Sequence, residues 1–295
     1  MKTRRYGNLV FIEGPKGGRY PFCNTVLIDD ARRTLIDPGA EYERLLQIKK
    51  ERPVDMIINS HYHEDHTSMN YLFPESDLYV PRDETPCFTS IERLLDFYGL
   101  SDPAYRDYWK GLLRERFNYR EREPAGELVD GMTIDFGNTV MEVIHTPGHT
   151  IGHSSFYFPR EGLLFLGDLD LTPFGPLYSD WGSDIDETIS SVHRLLEIDA
   201  AVYITCHEAG VIEGDIRPLA RKYLDIIEQR ETALIDFLKK PHTMDEIVNQ
   251  WIIYRKPREP KAFFEFGERG MMTKHLERLV AKDIVGTRDA SYYLL

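Results

Sequence analysis

The stretch His61-Tyr62-His63-Glu64-Asp65-His66 places three imidazoles and two carboxylates in six positions of a 295-residue chain that has ten His in all. A polar loop of ordinary composition does not provide so dense a run. It follows Val54-Asp55-Met56-Ile57-Ile58-Asn59-Ser60, whose continuity and β-branched content read as a buried strand. Ligands of α/β proteins collect at the carboxyl ends of strands, where these six residues fall. Side chains alternate along extended backbone, so the two His of the H-x-H pair point to one side. Asp65 and His66 then lie on the turn beyond, able to face a second ion. Imidazole nitrogen and carboxylate oxygen are the donors that divalent borderline metals prefer.

Outward from this run the chain alternates between strand and helix. Leu9 to Glu13, Thr25 to Asp29 and Arg33 to Ile36 read as strands, and Tyr42 to Glu51 as a helix. Asp77 to Val80 reads as a strand, as do Met132 to Phe136, Thr139 to Ile144, His153 to Phe158 and Gly162 to Leu166. A helix over Ile185 to Ile198 and a strand at Ala201 to Thr205 complete the series. The segment 84–127 differs, being charged and aromatic. It reads as an insertion of two helices broken near Gly99 to Pro103. From about residue 216 the pattern turns helical: Leu219 to Leu238, a second helix opened by the capping box Thr243 to Glu246 and running to about Ile253, and a third from Phe263 to Ala281. A basic loop, Arg255 to Lys261, separates the last two. A hairpin turning at Arg288 to Ala290 ends the chain. Three helices and a hairpin is the order of a winged helix. The expected division is therefore a catalytic domain, 1–215, and a small winged-helix-like domain, 216–295.

His61 to His66 resembles the H-x-H-x-D-H signature of the metallo-β-lactamase superfamily. Asp37-Pro38-Gly39 resembles the family's early turn, and His145 to Thr150 its T-P-G-H-T loop. Gly167-Asp168 resembles its G-D after a strand, and Cys206 to Gly210 its terminal histidine before glycine. The pieces keep the family's order and span roughly residues 9–210. The resemblance implies an α/β (α+β) fold, a four-layer αβ/βα sandwich with the site at one edge. It implies that His61, His63 and His149 bind one ion, that Asp65, His66 and His207 bind a second, and that Asp168 bridges them. The nucleophile would be a metal-bridged hydroxide, with Asp65 helping to orient it. Two divalent ions are expected, zinc first, with iron or manganese accepted by the same ligands. The implied reaction is hydrolysis of a small ester, thioester or lactone. A bridging Asp at Asp168 points away from antibiotic hydrolysis and toward glyoxalase-II-like, thioesterase, lactonase and phosphoesterase branches. Flavodiiron proteins carry Glu where His63 stands. The tail resembles that of relatives of a mitochondrial endoribonuclease, on helix order alone. The rival activities are a phosphodiesterase or ribonuclease of the same fold, and a mononuclear-iron persulfide dioxygenase. A DNA-binding regulator is the non-enzymatic rival.

The remaining site candidates are less constrained. His153 and Tyr178 are the candidate substrate contacts: His153 reads as reaching the substrate or supporting a ligand, and Tyr178 as a packing residue, with a hydrogen bond to a developing oxyanion as its competing role. His145 reads as a strand-end residue supporting structure, Cys206 as a buried strand residue, and Glu64 as a solvated neighbour of the ligands. Net charge is −13. Residues 1–215 hold 21 Lys and Arg against 37 Asp and Glu, and residues 216–295 hold 15 against 12. An acidic catalytic part makes nucleic acid an unlikely partner and a small molecule the expected one. Three Cys without a C-x-x-C pair argue against a disulfide scaffold or zinc ribbon. With no long apolar run, a soluble cytoplasmic protein without membrane contact is expected. Phe263, Phe264, Phe266, Met271 and Met272 read as exposed apolar material, from which a homo-oligomer is expected.

Overall fold

The computed structural model describes residues 2–295. Seven strands form the first sheet in sequence order: β1 Thr3–Tyr6, β2 Leu9–Ile12, β3 Thr25–Ile28, β4 Thr34–Ile36, β5 Met56–Ile58, β6 Asp77–Pro81 and β7 Gly126–Leu128. Its first four strands are antiparallel neighbours, and β4 to β7 run parallel. Six strands form the second: β8 Thr133–Asp135, β9 Val140–His145, β10 Ser154–Phe158, β11 Leu163–Gly167, β12 Val202–Thr205 and β13 Val211–Glu213. They run in reverse order across the sheet, with only β11 and β12 parallel.

Period-2 alternation explains why the sheets stack. On β2, Leu9 and Phe11 face the second sheet, while Val10 and Ile12 face the helices outside. Val26 and Ile28 divide from Leu27 in the same way, and Met56 and Ile58 from Ile57. In the second sheet Leu163 and Phe165 turn inward, and Leu164 and Leu166 outward onto the helix Ile185–Leu196. The central strands β2, β3, β5 and β11 are thus buried on both faces. That gives the four layers: helices, sheet, sheet, helices. Phe156 and Phe165 stack 5.6 Å apart in the middle layer.

The insertion differs from the expected pair of helices. It holds three, Thr85–Thr89, Ile91–Phe97 and Pro103–Glu115, and then supplies β7 to the first sheet. The break falls at Gly99, whose φ of +73° suits glycine. β1 and β13 were not legible as strands; both are sheet edges with exposed or half-buried residues, so neither carries the apolar alternation that marks a strand.

The tail has helices Arg217–Phe237, Met244–Val248 and Lys261–Ala281. The capping box at Thr243 and Glu246 is present, but its helix stops at Val248 rather than near Ile253, with Trp251 at φ +53° just beyond. A three-stranded sheet, β14 His242–Thr243, β15 Val285–Arg288 and β16 Ser291–Leu294, closes the tail in the order β14-β16-β15. Apart from Val280, which is 38% exposed, the large apolar residues of its long C-terminal helix are largely covered by this chain. Met271 and Met272 lie in the tail's own core, and Phe263 and Phe266 pack on Trp109 of the insertion at 5.9 and 5.8 Å. They therefore give no ground for a second copy. Among the described residues, no helix is long and apolar enough to cross a membrane.

Phe156→Ala should destabilise the protein by about 3–5 kcal/mol, because it removes a fully buried ring that the two sheets share. Urea unfolding followed by circular dichroism measures this, and a loss under about 1 kcal/mol would mean that the layers do not depend on that packing.

Candidate metal centre

Each candidate ligand stands just past the end of a strand. Asp37 follows β4, His61 to His66 follow β5, His149 follows β9, Asp168 follows β11 and His207 follows β12. Parallel and adjacent strand ends from two sheets thus deliver five loops to one edge of the sandwich. The side chains converge there. His61, His63, His149 and Asp168 form one group and Asp65, His66 and His207 another, with ligand atoms in each group within 4.8 Å of one another. Asp168 touches both: Oδ2 is 3.3 Å from His149 Nε2, 3.3 Å from His207 Nε2 and 3.9 Å from His61 Nε2, and Oδ1 is 3.1 Å from His66 Nε2.

The outer hydrogen bonds fix which nitrogen of each ring is free. His149 Nδ1 donates to the Leu177 carbonyl at 3.0 Å, and His207 Nδ1 to the Gly18 carbonyl at 2.5 Å. His66 Nδ1 donates to Asp37 Oδ2 at 3.0 Å, and His63 Nε2 to Asp180 Oδ2 at 2.7 Å. Ser60 Oγ donates to Asp37 Oδ2 at 2.6 Å and so accepts from His61 Nδ1 at 3.0 Å. Carbonyl and carboxylate oxygens only accept, so each of these nitrogens carries the proton. The other nitrogen of all five rings is left with a lone pair facing the centre. His149 Nε2 and His63 Nδ1, two such lone pairs, stand 3.1 Å apart.

Two acceptors cannot bond each other. His61 Nε2, His66 Nε2 and Asp168 Oδ1 are buried without any hydrogen-bond partner. Interiors bury polar atoms unpartnered only rarely, so convergent unpartnered donor atoms of this chemistry fit metal ions. Charge agrees. Burial works against ionised Asp168, yet His207, His66 and His61 hold its carboxyl well below the usual range. Burial also opposes charge on His66 and His207, and the Asp168 carboxylate overrides it, raising both. The centre thus holds a carboxylate that draws a cation, proton or metal. For His61, burial and the facing His66 prevail, so its ring stays neutral and ligating.

Several supports were not legible in the sequence. Asp180 has no motif; only the fold brings it to His63. Burial lowers His63, but the Asp180 contact outweighs this and lifts it to about 9. Asp37 accepts from the Ser60 amide at 2.7 Å as well as from the side chains above, and sits at φ +46°. Glu84 is buried behind the 146–153 loop, where it accepts from Gly152 N at 2.9 Å and from Thr150 Oγ1. Gly148 and Gly167 have φ of +123° and +61°; a Cβ on the first would lie 2.3 Å from Thr188 N, and on the second 2.3 Å from His153 Nε2.

The substrate roles considered for His153 and Tyr178, and the solvated reading of Glu64, are corrected. His153 is fully buried, with Nδ1 donating to the Thr146 carbonyl at 3.0 Å and Nε2 accepting from Asp168 N at 3.0 Å. Both nitrogens are committed, so it positions the Asp168 backbone and does not meet a substrate. Tyr178 is likewise buried, its hydroxyl held by Arg230 Nη1 and His275 Nε2, each at 2.9 Å. Glu64 is buried, not solvated. It accepts from Tyr20 at 2.7 Å and from Tyr98, and so ties the first loop to the insertion. A wall of rings leads outward: Tyr98 stacks on His63, Trp109 on Tyr98, and Phe263 on both Trp109 and Tyr20.

The family model described as "Metallo-beta-lactamase superfamily" matches residues 18–207. A hydroxyacylglutathione hydrolase of Synechococcus sp. (strain JA-2-3B'a(2-13)) is 27% identical over 218 residues, covering 70% of this chain and 73% of its own. An uncharacterized protein of Aquifex aeolicus is 30% identical over 58% of this chain and 76% of its own. Among solved structures, a metallo-beta-lactamase family protein from Thermus thermophilus superposes with a TM-score of 0.73 at 23% identity, covering 98% of this chain and 99% of that one. The last likeness extends over the tail as well as both sheets.

Asp180→Asn should weaken divalent-metal binding about 10- to 100-fold, since it removes the carboxylate that orients His63. Competition with a chromophoric chelator reads the affinity. An unchanged value would show that the Asp180 contact is incidental.

Proposed function

The chain belongs to the metallo-beta-lactamase superfamily, and on that premise we propose that it is a dinuclear metal hydrolase acting on a thioester or related small ester. One observation carries this reading: four ring nitrogens with lone pairs lie within 3.9 Å of the two oxygens of Asp168, and a fifth, His63 Nδ1, stands 3.1 Å from one of them, His149 Nε2. His61, His63 and His149 would hold one ion, Asp65, His66 and His207 the other, and Asp168 would lie between them. The bound ions would supply an activated water and Lewis-acid stabilisation of the oxyanion. Zinc suits this nitrogen and oxygen donor set, and iron or manganese fits it as well.

The protein's own groups perform the rest. Asp65 lies with Oδ2 3.5 Å from His207 Nε2 and Oδ1 3.8 Å from His66 Nε2, placed to orient the attacking water and take its proton. His153 fixes the Asp168 backbone from behind. The outer hydrogen bonds keep every ring in its ligating tautomer, so none has to reorganise during turnover. At the mouth, Tyr20, Leu177 and Trp181 are large apolar side chains that stay exposed. Tyr20 hydrogen-bonds Glu64, Leu177 carries the carbonyl that holds His149, and Trp181 follows Asp180. Such a rim favours a substrate with an apolar or flat group beside its reacting carbonyl. Relatives named hydroxyacylglutathione hydrolase, a thioesterase name, support the substrate class. The tail covers one side of this mouth through Phe263, which supports a substrate-covering role for it.

Fully loaded protein should contain about two equivalents of divalent metal per chain, because the cluster offers more ligands than one four-coordinate ion can use. Elemental analysis after reloading measures this, and one equivalent would favour a mononuclear centre.

Asp168→Ala should lower kcat on a hydroxyacyl thioester by at least about a thousandfold while circular dichroism stays unchanged. Thioester cleavage followed by thiol release reads the loss; a near-wild-type rate would refute the dinuclear mechanism.

A further inference from the structure

A second cavity, of about 600 Å³, lies where the tail meets Pro173 and Phe174 and contains none of the candidate ligands of the metal centre. It opens between the helix Arg217–Phe237, the loop at 252–258 and the start of the 173–178 segment. Three of its lining residues are arginines, Arg230, Arg255 and Arg258, and none is an Asp or Glu, in a chain of net charge −13. The three guanidiniums are not equivalent. Arg230 is buried and spent on the structure, donating to the carbonyls of Phe174 and Pro176 at 2.7 Å each. Neighbouring bases are also paired: Lys261 with Glu265 at 3.1 Å, and Arg269 with Asp245 at 2.6 Å. Among the described residues, neither Arg255 nor Arg258 has an ion-pair partner. Arg258 instead lies over the rings of Tyr254 and Phe264, at 5.5 and 5.7 Å. The apolar surface of the cavity comes from Ile226 and from the rings of Tyr254 and Phe174, which are 5.6 Å apart.

From this arrangement we propose that the cavity binds a nucleotide: a small phosphate ester that carries a flat ring. Guanidinium is the side chain that matches phosphate oxygens two at a time, and here two line one cavity without an ion-pair partner among the described residues and with no carboxylate in the lining. Tyr254 and Phe174 line the cavity with Arg258 and Arg230 over their rings at 5.5 and 5.0 Å, so a planar base would add to two guanidinium–ring pairs already in the wall. The volume is that of an ordinary small-molecule site, too small for a helix or strand of a protein partner. The basic loop Arg255 to Lys261 thus acts through two arginines at a pocket. It does not spread a field over a surface.

The test is titration calorimetry of the full-length, metal-loaded protein with AMP, adenosine and pyrophosphate, and of the Arg255→Ala/Arg258→Gln variant with AMP. Both arginines are exposed and lie outside the metal centre, so the variant should keep the fold and the thioesterase rate. The expected result is that AMP binds, that adenosine and pyrophosphate each bind at least about tenfold more weakly, and that the variant loses AMP affinity by at least about tenfold. Asp168→Ala should bind AMP as tightly as the wild type, which separates this pocket from phosphate captured by the metals. No AMP binding at millimolar concentration overturns the proposal, as does equal affinity for adenosine. Binding that Asp168→Ala abolishes, or tight binding of single-stranded RNA through the same two arginines without AMP binding, overturns it too.

Discussion

The Asp168 carboxylate stands at the centre of five imidazoles, and much of the structure can be understood as what keeps it there. A buried carboxylate is costly unless charge or hydrogen bonds compensate it. Here one of its oxygens has no hydrogen-bond partner, and two of the facing ring nitrogens have none either. Those atoms are compensated only if a cation lies among them. Metal affinity and fold stability are therefore one quantity at this edge of the sandwich, as in other sites whose ligands are brought together only by folding.

Holding such a cluster requires a rigid frame. Ligands that came from flexible loops would relax away from one another, because like dipoles and lone pairs repel. The frame is supplied by strands buried on both faces, whose carboxyl ends cannot shift without disturbing two packed layers. Around it lies a ring of acceptors, Asp37, Asp180, Ser60 Oγ, Leu177 O and Gly18 O, which turns every imidazole the right way. Two glycines allow the loops to pass where any side chain would collide, at Gly148 against Thr188 and at Gly167 against His153. Left-handed Asp37 is strain of the kind that functional sites keep and the surrounding packing sustains.

The insertion and the tail are joined to this frame by aromatic contacts. Trp109 meets Phe263 and Phe266, Phe263 meets Tyr20, and Tyr20 reaches Glu64 beside the ligands. Behind the centre, Arg230 grips the same 174–178 segment whose Leu177 carbonyl holds His149. The long helices of the tail are thus tied to the metal centre at two places, through Phe263 in front and Arg230 behind.

By itself, the sequence determined the layers and the candidate ligands. Strand runs such as Val54 to Ser60 are continuous because both faces are buried, and His, Asp and Gly recur at strand ends because chemistry and tight turns demand those types there. Both signals are local, so they survive in a linear reading. What the tertiary structure alone decided is whatever depends on residues far apart in the chain. Asp180 is 117 positions from His63 and carries no motif, yet it sets that ring's tautomer. His153 and Tyr178 look like free polar groups beside ligand loops, and only packing reveals that Asp168 N, Arg230 and His275 already occupy them. Glu64 reads as a surface residue until Tyr20 and Tyr98 close over it. Phe263 and the two Met of the last helix read as an unmet apolar face until the insertion and the tail core cover them. Residue type can announce that a group is able to ligate, donate or pack. Which partner it has is a three-dimensional fact, because hydrogen bonds and contacts act over a few ångströms of space and not along the chain.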